Sequence, residues 1–172
     1  MPRTTSKRKP TADSAAEPRL SRQRKPQNLP TDDWQRALRR QFGREQPFVL
    51  ENLGEDPVFS EFAVFNPESR RRYRVAIRGE QTGDNHCSCP DFATNDLGTC
   101  KHIEFTLAQI SARPDGRATL AAGFRGSFSE LFLDYAGLRR IRLRLGSEFP
   151  ADLEPLLRQV FVDAEGWQLP AR

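Results

Sequence analysis

The sequence has no run of apolar residues that approaches the roughly 20 needed to cross a bilayer. Its amino terminus, MPRTTSKRKP, lacks the apolar core of a secretory signal. Cysteine is scarce too, and three in 172 residues is an odd, small number that argues against a disulfide framework. These absences exclude a membrane-spanning protein and a secreted domain stabilised by disulfides. They predict a reducing, cytoplasmic setting.

The sequence also lacks the signatures of several enzyme classes. It contains no Gly-x-x-x-x-Gly-Lys-Ser/Thr phosphate loop, and it lacks the Pro-Cys-x-x-Cys that zinc deaminases combine with a His-x-Glu. A chain of 19.6 kDa is too short for two large ATP-driven lobes. We therefore expect a chain that is not an enzyme, and any motor activity would belong to another protein.

Residues 1–30 differ in composition from the rest of the chain. They contain no aromatic residue and only two leucines, so they cannot bury enough apolar surface to offset the entropy cost of ordering. Eight basic and two acidic residues give this segment a charge of +6, whereas the whole chain carries +4, which leaves −2 for the remainder. We predict a disordered basic tail, and the net charge alone does not indicate a DNA-binding fold.

Hydrophobic periodicity predicts several elements after the tail. A helix begins at Thr31 as N-cap, with Asp32 and Asp33 in its first turn, and Gly43 ends it. Further elements are two alternating runs that form a hairpin at 59–65 and 73–77, a helix at 100–112, a second hairpin within 128–145 and a short helix at 151–161.

All three cysteines and both histidines lie within the seventeen residues 86–102. Cys87 and Cys89 are one residue apart, so on an extended segment their side chains point to the same side and can converge on one ion, while His86 points away. Cys100 and His102 would point about 200° apart inside a regular helix. They converge only if Cys100 lies at or before the first turn.

Three thiolates and one neutral imidazole form the closed tetrahedral set that is typical of structural zinc. The residues 90–99 are predicted to be a loop that joins the two ligand pairs. Asp91 in that loop is expected to accept a hydrogen bond from the free ring N–H of His102.

Four other interpretations of the cysteines are weaker but stay open. In the first, the three cysteines are ordinary buried residues that bind no metal, but their position beside both histidines would then be an uncommon coincidence. A disulfide between Cys87 and Cys89 would be strained and would need an oxidising compartment. An iron–sulfur site normally takes four thiolates, and Cys100 and His102 are too close in sequence for a typical nucleophile and base.

The arginines of both hairpins recur with period two, and this pattern has two interpretations. The rows could extend a nucleic-acid surface, or they could be solvated strand faces that pair with local acids such as Glu61, Glu130 and Asp134. The rows are Arg72, Arg74 and Arg78 in the first hairpin, and Arg140, Arg142 and Arg144 in the second.

The segment Cys87-x-Cys89, ten residues and Cys100-x-His102 resembles the SWIM zinc finger, including Cys-Pro-Asp-Phe at the second ligand and Cys-Lys-His-Ile at the end. That family is named from bacterial Swi/Snf-type ATPases and plant Mutator-type transposases. The segment SELFLDYAGLRRIRLRLG is also similar to the amino-terminal regions of bacterial Swi/Snf-type helicase-like proteins. The resemblance implies two strands followed by a helix, zinc ligation by Cys87, Cys89, Cys100 and His102, and contact with DNA or protein.

The predicted fold class is α+β, with small antiparallel hairpins packed with short helices around a zinc site. We expect residues 31–172 to form a single small domain, with the SWIM-like finger at about 58–112 and a hairpin plus helix at about 124–165. The predicted function is a zinc-binding module for DNA or protein interaction, linked to a Swi/Snf-type ATPase supplied by another chain.

The expected partner is DNA, reached through the tail and the arginine-rich strands, which would place the protein at the nucleoid, or a helicase-like protein. The alternative is a protein-interaction adaptor with no nucleic-acid affinity of its own. We expect Zn²⁺ as the cofactor, no membrane and no small-molecule substrate.

Overall fold

The computed structural model of the protein describes residues 19–163 and 167–168, in an α+β fold. None of the helices in these ranges is long and apolar enough to cross a membrane. The helices are α1 (Thr31–Glu45), α2 (Pro90–Thr94), α3 (Lys101–Ser111), α4 (Gly116–Ala122) and α5 (Glu154–Val160). The strands are β1 (Val49–Asn52), β2 (Glu61–Asn66), β3 (Arg71–Ala76), β4 (His86–Cys87), β5 (Glu130–Asp134), β6 (Arg140–Arg144), β7 (Val162–Asp163) and β8 (Trp167–Gln168).

The first sheet has the antiparallel order β1-β2-β3-β4. Its centre is the predicted hairpin of β2 and β3, in which Val64 pairs with Tyr73. The side chain of Asn66 closes the turn between them, because its Oδ1 accepts hydrogen bonds from the backbone N–H groups of Glu68 and Ser69. Strand β1 was not predicted, since its four residues Val-Leu-Glu-Asn show no clear alternation.

The main core lies between this sheet and helix α3. Apolar residues fill this core. They recur at every second position on the strands and at every third to fourth position on the helix, which places them on one face of each element. Ile103 and Ile110 of α3 face the sheet, and Phe92 of α2 closes the end near the cysteines. The largest fully buried apolar side chains are Phe62, Phe92, Ile77, Ile103, Ile110, Val64 and Val75.

Helix α1 continues through Gly43, so the prediction that this glycine ends the helix is wrong. A Cβ atom on Gly43 would lie 2.9 Å from both the carbonyl oxygen of Lys101 and the backbone nitrogen of Phe105. Gly43 therefore lets α1 approach the backbone of α3 closely. At the other end, Pro30 occupies the N-cap position and Thr31 is the first helical residue.

Residues 19–30 of the predicted tail lie against α1. Arg19 and Arg22 both pair with Glu45, and the backbone N–H of Leu20 donates to Oε1 of Gln41 at 2.8 Å. Two of the eight basic residues of the segment are therefore compensated within the protein. Residues 1–18 of the tail, and residues 164–166 and 169–172, lie outside the described residues.

The second sheet has the order β5-β6-β8-β7, and its β5–β6 hairpin matches the prediction. The face of this hairpin that carries Arg142 and Arg144 is turned toward the first sheet, whereas Arg140 at the start of β6 is exposed. Arg144 reaches the backbone carbonyl of Asp84, and Tyr135 after β5 packs on Phe92 with ring centroids 4.6 Å apart. The side chains of Arg142 and Arg144 are accordingly only 24% and 18% exposed.

The opposite face of the same hairpin is aliphatic and exposed. Leu131 pairs with Leu143 and Leu133 with Ile141, so the four side chains lie together on one face. Leu131, Leu133 and Ile141 are exposed by 64%, 42% and 44%. We call these four residues the aliphatic face. The predicted last helix forms as a 3₁₀ turn, Ala151–Leu153, followed by α5, whereas α4 was not predicted.

Candidate metal centre

Cys87 and Cys89 lie on the extended segment that begins with β4. Cys87 pairs with Val75 of β3, so the sheet fixes its position. Both cysteines are 1% exposed, and His86 before them points outward, where its ring meets that of Phe92 at 5.3 Å. The predicted alternation is confirmed.

Cys89 is also the N-cap of the short helix α2. Its Sγ accepts a hydrogen bond from the backbone N–H of Phe92 at 3.4 Å, and Pro90 takes the first helical position, where no N–H is needed. The span 90–99, predicted to be a loop throughout, thus starts with one helical turn. This turn fixes the direction of the Cys89 side chain.

Cys100 is the N-cap residue of α3, and His102 lies in the first turn of that helix. The extended backbone of Cys100, with φ −149° and ψ 169°, swings its side chain back toward the site. Gly98 makes this entry sharp, because it adopts a positive φ of 68° and packs against Ala136. The convergence required of Cys100 and His102 therefore occurs as predicted, at the start of the helix.

The side chains of Cys87, Cys89, Cys100 and His102 meet in one buried cluster, with their ligand atoms within 4.8 Å of one another. The Nδ1 atom of His102 lies 3.8 Å from Sγ of Cys87 and 3.9 Å from Sγ of Cys100. A zinc tetrahedron with Zn–S of about 2.3 Å and Zn–N of about 2.0 Å has ligand–ligand edges of about 3.5 to 3.8 Å. The residues fit a metal ion, and the donor set of three sulfurs and one nitrogen suits zinc.

The three thiols influence one another strongly. Hydrogen bonds from Cys100 and Cys87 lower the pKa of Cys89 well below its usual range, whereas burial raises the pKa of Cys100. One thiolate at Cys89 is thus favoured, and a metal ion that binds all three sulfurs must displace the remaining thiol protons. Binding of metal should release protons and weaken as the pH falls.

Two aromatic rings flank His102. Phe48 lies 5.1 Å and Tyr73 4.7 Å from it, measured between ring centroids. They limit how the imidazole can turn and keep water from one side of the cluster. Both were missed by the sequence analysis, because they lie far from the cysteines in sequence and only the pairing of the strands brings them near.

Asp91 does not take the role predicted for it. Among the described residues it makes no hydrogen bond to His102. It binds Arg39 of α1 instead, with 2.6 Å between Nη2 and Oδ1 and 3.1 Å between Nε and Oδ2. This two-bond ion pair ties α1 to the helix that carries Cys89.

Arginines of both rows pair with nearby acids, as one of the two interpretations predicts. Arg72 binds Glu51 at 2.6 Å, and Arg74 binds Glu61. In the second hairpin, the pairs are Arg142 with Asp134 and Arg144 with Glu130. These pairs reduce the positive charge that either row presents to an external anion.

No family model matches the chain, and the comparisons with curated proteins and with solved structures found no match either.

Proposed function

We propose that the protein is a SWIM-type zinc module that acts by binding another macromolecule and not by catalysis. The observation that carries the proposal is the buried cluster of Cys87, Cys89, Cys100 and His102, whose four ligand atoms lie within 4.8 Å of one another. A bound zinc ion supplies a cross-link between chain segments. Cys87 would hold β4, Cys89 the start of α2, and Cys100 with His102 the start of α3.

The order of elements supports the SWIM assignment. Two paired strands, β2 and β3, precede the ligands, and helix α3 carries the last of them. The spacing of the ligands and the residues Pro90, Asp91 and Phe92 agree with the pattern of that family. The assignment depends on these features together.

The absence of catalysis is proposed because four protein ligands fill a tetrahedral zinc ion. A hydrolytic zinc ion needs one position for water, and each side chain of this cluster is at most 3% exposed. X-ray absorption on the zinc-loaded full chain tests this directly. We expect three sulfurs at about 2.3 Å and one nitrogen at about 2.0 Å, whereas an additional oxygen ligand in place of one of them would contradict the proposal.

The SWIM assignment leaves DNA and a helicase-like protein as partners, and the aliphatic face favours a protein. Exposed apolar patches of this kind are common at protein interfaces. The N-terminal residues 1–18 contain no large aliphatic side chain apart from Met1 and are poorly suited to cover it. We propose a Swi/Snf-type ATPase, encoded separately, as the protein that binds there.

Titration of the full chain with a purified Swi/Snf-type ATPase from the same organism tests this partner. Leu131→Glu combined with Ile141→Glu should weaken binding at least tenfold, because it places charges in the apolar interface. Arg72→Ala, on a strand of the first sheet, is the matched control and should leave binding unchanged. No binding by the wild-type chain, or equal binding by the double variant, would contradict the assignment of this surface.

A further inference from the structure

A cavity of about 470 Å³ opens at the surface beside the metal centre. Its rim combines side chains from three elements that the fold brings together. Ser69 and Arg71 come from the β2–β3 turn and the start of β3, and Lys101 is the first residue of α3. Cys89 and His102 form part of the floor, so the cavity touches two of the metal ligands.

Arg71 and Lys101 differ from most basic residues around them, because neither makes an ion pair with a described residue. Lys101 lies over the ring of Phe48, 5.7 Å from its centroid, and has no carboxylate partner within the described ranges. Asp91 also lines the cavity, but its charge is neutralised by Arg39. The cavity therefore holds two basic groups that no carboxylate of the described residues pairs with.

The geometry of β3 separates Arg71 from its neighbours. Successive side chains of a strand point to opposite faces, so Arg71 shares a face with Tyr73, whose ring stacks against His102. Arg72 lies on the other face, where Glu51 binds it. One strand thus carries, at the cavity, an arginine that forms no ion pair within the described part of the chain, and away from the cavity an arginine that is paired.

The turn before Arg71 holds the rim in place. Asn66 caps it through two backbone N–H groups, and Arg70 adopts a positive φ of 55°, a conformation that non-glycine residues rarely take. Ser69 and Tyr73, whose side chains each carry a hydroxyl that can donate a hydrogen bond, also line the cavity. Cationic groups with hydroxyl donors form the chemistry that binds phosphate oxygens.

A zinc ion held by three thiolates and a neutral imidazole leaves the cluster with a charge of −1. One of the two cations offsets that charge, and the other leaves a net positive charge at the cavity. The cavity is open to solvent, which suits a phosphate carried on a polymer.

We propose that this cavity binds a backbone phosphate of duplex DNA, with Arg71 and Lys101 as the contacting cations. The inference rests on the proposed zinc module, because Cys89 and His102 form the floor of the site. It assigns the contact to two residues outside both of the regular arginine rows.

Titrating a fluorescent 20-base-pair duplex with the zinc-loaded full chain, across a series of salt concentrations, tests the proposal. For Arg71→Ala with Lys101→Ala we expect about a tenfold weaker affinity and a shallower dependence on salt, by about 0.9 in the log–log slope for each phosphate that the protein no longer neutralises. Arg72→Ala with Arg74→Ala removes two paired arginines of β3 that lie outside the cavity. This control should change both quantities far less.

Zinc content and thermal unfolding of each variant separate binding from folding. A double variant that keeps its zinc and binds DNA as tightly as the wild type would overturn the proposal, as would an equally weakened affinity in the control. The proposal also fails if zinc-loaded wild type does not bind the duplex, although the zinc module would then stand as a protein adaptor. If the wild-type chain binds no zinc at all, the proposed function itself is contradicted.

If Arg71→Ala with Lys101→Ala loses zinc, the two cations serve the metal centre and the phosphate site is contradicted. Arg71→Lys with Lys101→Arg keeps both charges and should restore most of the affinity, since phosphate binding depends mainly on charge.

Discussion

Sγ of Cys100 lies 3.9 Å from Nδ1 of His102, although two residues in this relation on a regular helix point about 200° apart. The contact forms because Cys100 is the extended N-cap residue of α3 and His102 lies within the helix. The start of α3 and the metal cluster are therefore one structural feature. Removal of the metal should loosen the amino-terminal turn of the helix that forms the core.

Cys100→Ser should abolish stable zinc binding and cooperative unfolding. The substitution replaces a strong sulfur ligand, and structural zinc sites of this kind contribute about 10 kcal/mol or more to folding. Zinc content by mass spectrometry and urea unfolding by circular dichroism provide the readouts. His86→Ala is the matched control: it removes the outward-facing histidine and should retain one zinc per chain.

Gly43→Ala should destabilise the protein by up to about 2 kcal/mol. Helix propensity alone favours alanine by about 1 kcal/mol, but the added Cβ would press on the backbone of Lys101 and Phe105, and overpacking costs about 1 to 3 kcal/mol. The sign of the change in unfolding free energy decides between the two effects. A stabilised variant would show that α1 does not approach α3 as closely as described.

The ion pair of Arg39 and Asp91 should contribute a coupling energy of about 1 to 2 kcal/mol, because it is partly buried and has two hydrogen bonds. A double-mutant cycle with Arg39→Ala and Asp91→Ala measures it through urea unfolding of the zinc-loaded protein. Additive effects of the two substitutions would argue against the pair. The ion pair of Arg72 and Glu51 should give a smaller coupling energy, because both of its side chains are more exposed.

Asp84 should make stability depend on pH in a defined direction. Burial raises its pKa above the ordinary value of 3.8, and this outweighs the attraction of Arg144. The folded state then binds the proton more tightly than the unfolded chain, so stability falls as the pH rises through the raised pKa. Asp84→Asn removes this dependence.

The unfolding free energy of Asp84→Asn minus that of the wild type should therefore increase as the pH rises from the ordinary value of 3.8 through the raised pKa. Urea unfolding over a series of pH values that starts at this ordinary value measures it, and the subtraction cancels the pH dependence of zinc binding that the two proteins share. A difference that decreases with pH would contradict the burial of this carboxylate.

Local patterns in the sequence were sufficient to predict the metal cluster. The i, i+2 spacing of Cys87 and Cys89 requires an extended chain for convergence, and the structure provides it at β4. The same reasoning placed Cys100 at the entry of α3. These predictions succeeded because ligand convergence depends on backbone geometry over a few residues.

Contacts between distant segments could not be predicted in this way. Gly43 resembles a helix terminator in sequence, and its actual role depends on α3, far along the chain. Arg39 binds Asp91 across a similar separation. The alternation of β6 correctly predicted two faces, but which face meets solvent is determined by the packing of Arg144 and Tyr135 on the first sheet.

We propose that zinc, bound by the Cys₃His cluster, holds this fold together. Native mass spectrometry of the reduced full chain, followed by urea unfolding with and without a chelator, tests it most directly. We predict one zinc ion per chain and loss of the cooperative transition once the metal is removed. A folded, reduced chain that contains no zinc, or that unfolds with the same midpoint after chelation, would contradict it.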